Sequence, residues 1–249
     1  MMEIVPLGDS ALVVRMRERF DDAPEQTLDV VLRAFQRLQN AAIPGVIELA
    51  PAYTGVAVFF DPIPAAKCAE TPDKVFDWLV ARIRAVVAGI DLSDVASAKA
   101  DDPGRKMRSR SASVEIPICY DSEFALDIDD VAQRAAISPG EVIRLHSAGE
   151  YRVACIGFVP GFPFLAGLPK ELATPRRDVP RKQIPPGSVG IGGAQTGIYP
   201  LGSPGGWNLI GRTPLRLFDP RKNPPALLRA GERVRFRAIT REEFEAAEK

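Results

Sequence analysis

A single histidine, His146, and four arginines, Arg176, Arg177, Arg181 and Arg212, are the side chains of this sequence best suited to chemistry. An imidazole changes charge near neutral pH and can carry a proton. Guanidinium groups bind phosphate or carboxylate and stabilise developing negative charge. His146 and Arg212 are therefore the catalytic candidates, although a lone histidine beside a strand also serves as a structural hydrogen-bonder. The densest basic run is "RRDVPRK", from Arg176 to Lys182. It reads either as a solvated loop or as an anion site, which makes Arg176, Arg177 and Arg181 the phosphate-binding candidates.

Glycine is concentrated in the same region, with nine between Gly187 and Gly211. Each weakens a strand, so tight turns, positive φ or close backbone approach must require them. Tight turns between strands account for part of the set. The Gly192-Gly193 and Gly205-Gly206 pairs are the candidates for a cradle of backbone amides around phosphate. Tyr199, Trp207 and the loop "GFVPGFPFLAGLP" add apolar walls of the kind that ligand pockets use. Proline and glycine would hold Phe158 and Phe162 in fixed directions there, beside Tyr151 and His146. Packing of that loop onto its own aromatics is the alternative. The loop itself is too rich in proline for a helix interior and too irregular for a strand.

Several common signatures are absent. No P-loop occurs, and "GIGGAQTG" misses the dinucleotide fingerprint because Gln195 stands at the third glycine position. Gln195 is kept as a substrate-binding candidate. There is no G-x-S-x-G nucleophile elbow. One histidine and no Cys-x-x-Cys argue against a protein-built metal site. Three widely spaced cysteines argue against a disulfide framework and for a reducing, cytoplasmic setting. No signal peptide is expected, because "MMEIVPLGDS" lacks a basic n-region and a long apolar core, and no membrane span, because "VFDWLVARIRAVVAGI" carries three charges. Net charge is zero, with 10 Lys/Arg against 14 Asp/Glu in residues 1–100 and 22 against 18 beyond. No basic stripe with interleaved aromatics points to nucleic acid.

These residues must be positioned by two halves of different texture. Residues 1–95 read as a small α/β domain: two strands and a helix, then the pattern again. "PEQTLDVVLRAFQRLQNA" repeats apolar residues at helical spacing, with Pro24 in the first turn. Thr71-Pro72 opens a second helix. The polar stretch 96–113 reads as a linker. Residues 114–249 begin with the strand "SVEIPICY" and two short helices, the second opened by Ser138-Pro139-Gly140-Glu141. Then "EYRVACIGF", "SVGIGG", "GWNLIG", "PLRLFD" and "RVRFRAI" read as strands of a β-barrel, and a capping box at Thr240–Glu243 starts a closing helix. The fold class is α+β.

The stretches "HSAGEYRVACIGFVPGFPFLAGLP" and "PRRDVPRKQIPPGSVGIGGAQTGIYPLGSPGGWNLIGRTPLRLFDP" strongly resemble the subunit 1 family of allophanate hydrolase-like proteins. That family includes the B subunit of 5-oxoprolinase, the kinase inhibitor KipI and half of the carboxyltransferase region of urea carboxylase. The dense match spans about residues 140–236. The resemblance implies a cyclophilin-like barrel for the C-terminal half. It also implies two partners: a protein like the C subunit (allophanate hydrolase subunit 2) and one like the A subunit. Together these would use ATP to open the lactam of 5-oxo-L-proline to L-glutamate, with a site shared between chains and this chain inactive alone. Carboxyl transfer in urea metabolism and KipI-like inhibition of a sensor kinase are the alternatives. Peptidyl-prolyl isomerisation is discounted, since a fold does not fix a function. Family members commonly carry Tyr in the place of Phe164, so that hydroxyl is missing here.

Overall fold

Periodic apolar stripes, short β-rich runs and proline stops partition this chain, as a computed structural model shows for residues 2–20, 23–90 and 113–248. The chain divides into two compact units, Met1–Lys106 and Met107–Lys249. The linker read at 96–113 lies outside the described residues, apart from Ser113.

In the first unit, β1 (Glu3–Pro6), β2 (Ala11–Arg15), β3 (Val46–Ala52) and β4 (Gly55–Phe60) pair antiparallel in the order β1-β2-β4-β3. Helix α1 (Pro24–Ala41) buries Leu28, Val31, Ala34 and Leu38 at helical spacing, which fixes its core-facing side. Helix α3 (Val75–Val87) does the same with Leu79 and Ile83. Val31, Ala34, Leu38, Leu79 and Ile83 share one apolar core with Leu12, Val14, Val56 and Phe60 from the sheet. Two local details differ from the sequence reading. A 3-10 turn, Pro72–Lys74, precedes α3, and the Thr71 side chain makes no capping bond. The five-residue helix α2 (Pro62–Ala66) was hidden by its two prolines; Asp61 caps it by accepting from Ile63 N at 2.9 Å.

The second unit is a closed barrel of seven strands. β5 (Val114–Cys119), β6 (Glu150–Ile156), β7 (Pro163–Ala166), β9 (Ser188–Gly192), β10 (Gln195–Ile198), β12 (Asn208–Arg212) and β13 (Arg233–Ile239) run in the order β6-β13-β5-β12-β9-β10-β7. Pairing of β7 back to β6 closes the ring. The β13–β5 pair is parallel and the others are antiparallel. A two-stranded ribbon, β8 (Arg181–Ile184) with β11 (Ser203–Gly205), lies outside the ring.

Strand β7 corrects the sequence reading, which excluded a strand from the proline-rich loop. Pro163 takes its first position and the other three residues supply the ladder, so the missing N–H disrupts little. "PLRLFD" is corrected the other way. It forms no strand and makes a single bridge, Phe218 to Ala226. Asp219 holds this segment in turns by accepting from Arg221 N and Nε, both at 3.1 Å.

Helices α4 (Ile128–Ala135) and α5 (Pro139–Ala148) pack on the barrel through Ile128, Val131, Ala132 and Val142. Ser138 caps α5 by accepting from Glu141 N at 3.2 Å, but the Glu141 carboxylate turns to Arg144 rather than completing a capping box. Helix α6 (Arg241–Ala247) does begin with the full box between Thr240 and Glu243.

Candidate functional site

An open cleft of about 800 Å³ lies between the loop Thr174–Val179, the exposed face of α4 and the start of β12. The loop is held at both ends and from below. Thr174 and Gly193 exchange backbone bonds of 3.1 and 2.7 Å, and Arg177 N donates to Gly206 O at 2.7 Å. From beneath, the buried Asn208 side chain donates through Nδ2 to Pro175 O at 2.8 Å and to Ile191 O at 3.2 Å. A loop pinned in this way presents its side chains at little further entropic cost when a ligand arrives.

Behind the loop, one buried carboxylate organises the cations. Asp127 is 2% exposed. Its Oδ1 accepts from Arg177 Nη1 at 2.5 Å and from Arg181 Nη2 at 2.8 Å; its Oδ2 accepts from Arg181 Nη1 at 2.9 Å and from Leu209 N at 2.7 Å. A buried anion is tolerable when its lone pairs are filled this completely. Asp127 stands at the N-cap position of α4 yet makes no capping bond, because the arginines and Leu209 occupy its oxygens. Arg176 lies over the Trp207 ring, its Cζ 5.9 Å from the centroid, in cation–π contact.

The sequence candidates therefore separate into groups. Arg176 and Arg177 line the cleft, with Arg181 joined to Arg177 through Asp127 and Trp207 beneath Arg176. Directly behind them, Phe162, Tyr199 and Trp207 form a buried aromatic cluster with Ile184 and Leu209. Phe162 meets Tyr199 and Trp207 edge-on, at 5.1 and 5.5 Å between centroids, and is 2% exposed. The pocket-wall expectation for Phe162 and Tyr199 thus gives way to a core role. Of that loop, Phe158 alone among the phenylalanines is well exposed, at 62%, with a positive φ of 68° and an edge contact to Phe162.

The glycines are explained mainly by these rings. A Cβ on Gly192 would stand 2.6 Å from the Trp207 indole, and one on Gly205 would collide with Tyr199. Gly193, at φ 66°, sits in the β9–β10 turn and gives its amide to Thr174 O. Gly206 lends its carbonyl to Arg177. At the expected amide cradle, Gly192 and Gly205 meet rings at close range and the Gly193 amide is committed to Thr174. Gln195 opens β10, half-buried, opposite Gly192.

His146 and Tyr151 lie elsewhere, inside the barrel. His146 is fully buried and stacks on Phe236 at 4.6 Å, with 9° between planes. Thr196 Oγ1 donates to Gly190 O, so it accepts from His146 Nε2–H at 3.0 Å; Tyr120 Oη then donates to Nδ1 at 2.8 Å. Both ring nitrogens are occupied, and burial pushes the imidazole down to about 3. Tyr151 is 1% exposed and donates to His146 O at 2.7 Å. The expected proton carrier is thus placed in the barrel core with both ring nitrogens hydrogen-bonded.

Arg212 occupies the far end of β12 from Asn208, roughly 13 Å along the strand at the usual rise per residue. Its Nε donates to Pro186 O at 2.9 Å, Nη2 lies 3.5 Å from Glu248, and its Cζ sits over Phe124 and Phe244. It clasps the C-terminal helix and is remote from the arginines of the cleft. Sequence reasoning missed Asp127, Asp130 and Arg134. The acidic run "DIDD" reads as an ordinary helix start, and nothing local pairs it with arginines fifty residues on. Among the described residues, no group of three or more His, Cys, Asp or Glu side chains is placed to hold a metal ion. No helix among them is long and apolar enough to cross a membrane.

The arrangement can be set beside known proteins. Residues 2–228 match the family model described as carboxyltransferase domain, subdomain C and D. The chain is 42% identical to the B subunit of 5-oxoprolinase from Bacillus subtilis over 246 residues, 98% of this chain and 95% of that protein. Among solved structures, TTHA0988 superposes with a TM-score of 0.70 at 33% identity; 92% of this chain is covered, and it spans 40% of that longer chain. The urea carboxylase of Kluyveromyces lactis shares the fold, with a TM-score of 0.71 at 19% identity over 98% of this chain and 22% of that one. The cyclophilin-like barrel and the small domain before it are thus those of these relatives. By the family model and by a relative matched along almost its whole length, the chain belongs to the family of 5-oxoprolinase B subunits, within the carboxyltransferase subdomain C and D proteins.

Proposed function

We propose that this chain is the B subunit of an ATP-dependent 5-oxoprolinase, completing its site with a C-type subunit and working with an A-type one. The observation that carries this reading is the near full-length match to the Bacillus subtilis 5-oxoprolinase B subunit. The cleft supports it: a pinned loop presents Arg176 and Arg177 beside α4, fixed from behind by Asp127.

Opening a lactam requires attack on an amide whose resonance makes it a poor electrophile. ATP, used by the complex, would convert the lactam oxygen into a leaving group. The task left for this chain is to hold an anionic reactant in one orientation and to stabilise charge with rigid donors. Arg176, steadied on Trp207, and Arg177, steadied by Asp127, have that geometry. His146 takes no part, because its ring nitrogens are committed within the barrel core.

The test is reconstitution. The chain mixed with its A-type and C-type partners should release ADP and glutamate in proportion when 5-oxoproline is added. The chain alone should release little. Robust turnover by the chain alone would overturn the shared site, and biotin- and bicarbonate-dependent carboxylation by the complex would replace lactam opening.

A further inference from the structure

We propose that the cleft beside α4 receives the carboxylate of a small monoanionic molecule and excludes nucleotide polyphosphate, with ATP bound outside this cleft. This rests on the 5-oxoprolinase reading for the choice of lactam acid, but the charge selectivity stands on the cleft alone.

The first support is charge. Among the described residues, Arg134, Arg176 and Arg177 line the cleft against Asp130 and Asp178, a surplus of one positive charge. Immediately behind it, Asp127 and Arg181 cancel each other. A surplus of one suits one carboxylate. A nucleoside triphosphate brings three to four negative charges, which proteins meet with a run of free amides, a P-loop lysine or a bound cation. The sequence has no P-loop, and the amide of Gly193 is given to Thr174 O.

The second support is the state of Arg177. Asp127 takes one of its terminal nitrogens, while its Nε is buried with no hydrogen-bond partner. Buried donors are nearly always paired, but this Nε has no exposed surface; the part of the guanidinium open to a ligand is the remainder of a side chain 34% exposed. A planar pair of carboxylate oxygens is the acceptor that best matches the planar donors of arginine. Asp130 adds the selectivity. Its carboxylate lies 3.9 Å from Arg177 Nη1, is 68% exposed, and repels a ligand in proportion to its charge, so a polyphosphate is penalised more than a monoanion.

The test uses the full chain with its arginine Nε–H groups observed by NMR. 5-Oxoproline, acetate, tripolyphosphate and ATP are titrated separately at constant ionic strength. The two carboxylates should perturb Arg177 and Arg176, 5-oxoproline more strongly than acetate, while tripolyphosphate and ATP bind there at least tenfold more weakly than 5-oxoproline. Asp130→Asn, an exposed change that leaves the fold intact, should raise tripolyphosphate affinity threefold or more without weakening 5-oxoproline. Asp127→Asn should shift preference the same way if it folds. ATP or tripolyphosphate binding at these arginines as tightly as 5-oxoproline would overturn the proposal, as would silence of both arginines toward every carboxylate. Equal binding of acetate and 5-oxoproline would uphold the carboxylate site and contradict the lactam reading.

Discussion

Around His146 the C-terminal barrel buries polar atoms without charge, whereas around Asp127 it buries a charge and leaves cations facing a cleft. In the first region every donor has an acceptor: Tyr120 to His146, His146 to Thr196, Thr196 to Gly190. Nothing there is left to meet a ligand, and a proton added to the ring would displace the Tyr120 donor. In the second, two guanidinium groups share one carboxylate, Arg177 Nε is unpartnered, and Arg176 rests only on a ring. Polarity that closes on itself holds a fold, and polarity with donors left over marks where a ligand binds. The residue type that looked most chemical in the sequence belongs to the closed region.

The largest expected effect probes the aromatic cluster that underlies the cleft. Phe162→Ala should lower folding stability by about 3–5 kcal/mol in denaturant unfolding, since its ring is central to a close-packed group. A loss below about 1 kcal/mol would mean that the ring is not core.

Next is the charged region. Asp127→Ala strands two guanidinium groups and the Leu209 amide, and should cost about 3 kcal/mol, the low end for a broken buried pair because both arginines are partly exposed. Retained stability would show that the arginines find water as readily as they find Asp127.

The closed region has a pH signature. The folded pKa of His146 lies near 3, below its ordinary value of 6.5. The unfolded chain therefore binds more protons between those values, and stability falls as pH drops from about 6.5 toward 3. The loss should reach on the order of 2 kcal/mol by pH 5. In His146→Gln this slope should flatten, as read from unfolding midpoints against pH. An unchanged slope would assign it to other groups.

Smaller effects separate the remaining arginine and the exposed ring. Arg212→Ala should cost about 1–2 kcal/mol through lost ring contacts and its bond to Pro186, with turnover of the complex retained by the folded fraction. A large loss of turnover with stability intact would return Arg212 to the site. Phe158→Gly relieves a left-handed backbone angle and should leave the isolated chain within about 1 kcal/mol of the parent in thermal unfolding. A greater loss would show that the exposed ring packs more than its edge contact with Phe162 suggests.

Much of the fold was legible because its signals are local. Leu28, Val31, Leu32, Phe35 and Leu38 announce α1 by spacing alone, and Thr240 with Glu243 announces α6. Strand β7 was not, because its proline argues against a strand until its first-position placement is known. At the site, the basic run was visible and its controlling partner was not. Asp127 carries the signature of a helix cap, and its pairing with Arg177 and Arg181 is a product of barrel closure, not of neighbouring sequence. The glycines misled for a related reason. Composition shows that something approaches the backbone, but not that Trp207 and Tyr199 of the same chain do so.

The contrast between the two regions is tested most directly by paired kinetics in the reconstituted complex at pH 7.5. Arg176→Ala should lower kcat/KM for 5-oxoproline by on the order of 10²-fold with an unchanged melting temperature. His146→Gln should keep kcat/KM within about threefold while lowering the melting temperature, as a buried structural group does. The reverse pattern, a silent Arg176 variant and a folded but inactive His146 variant, would contradict the account.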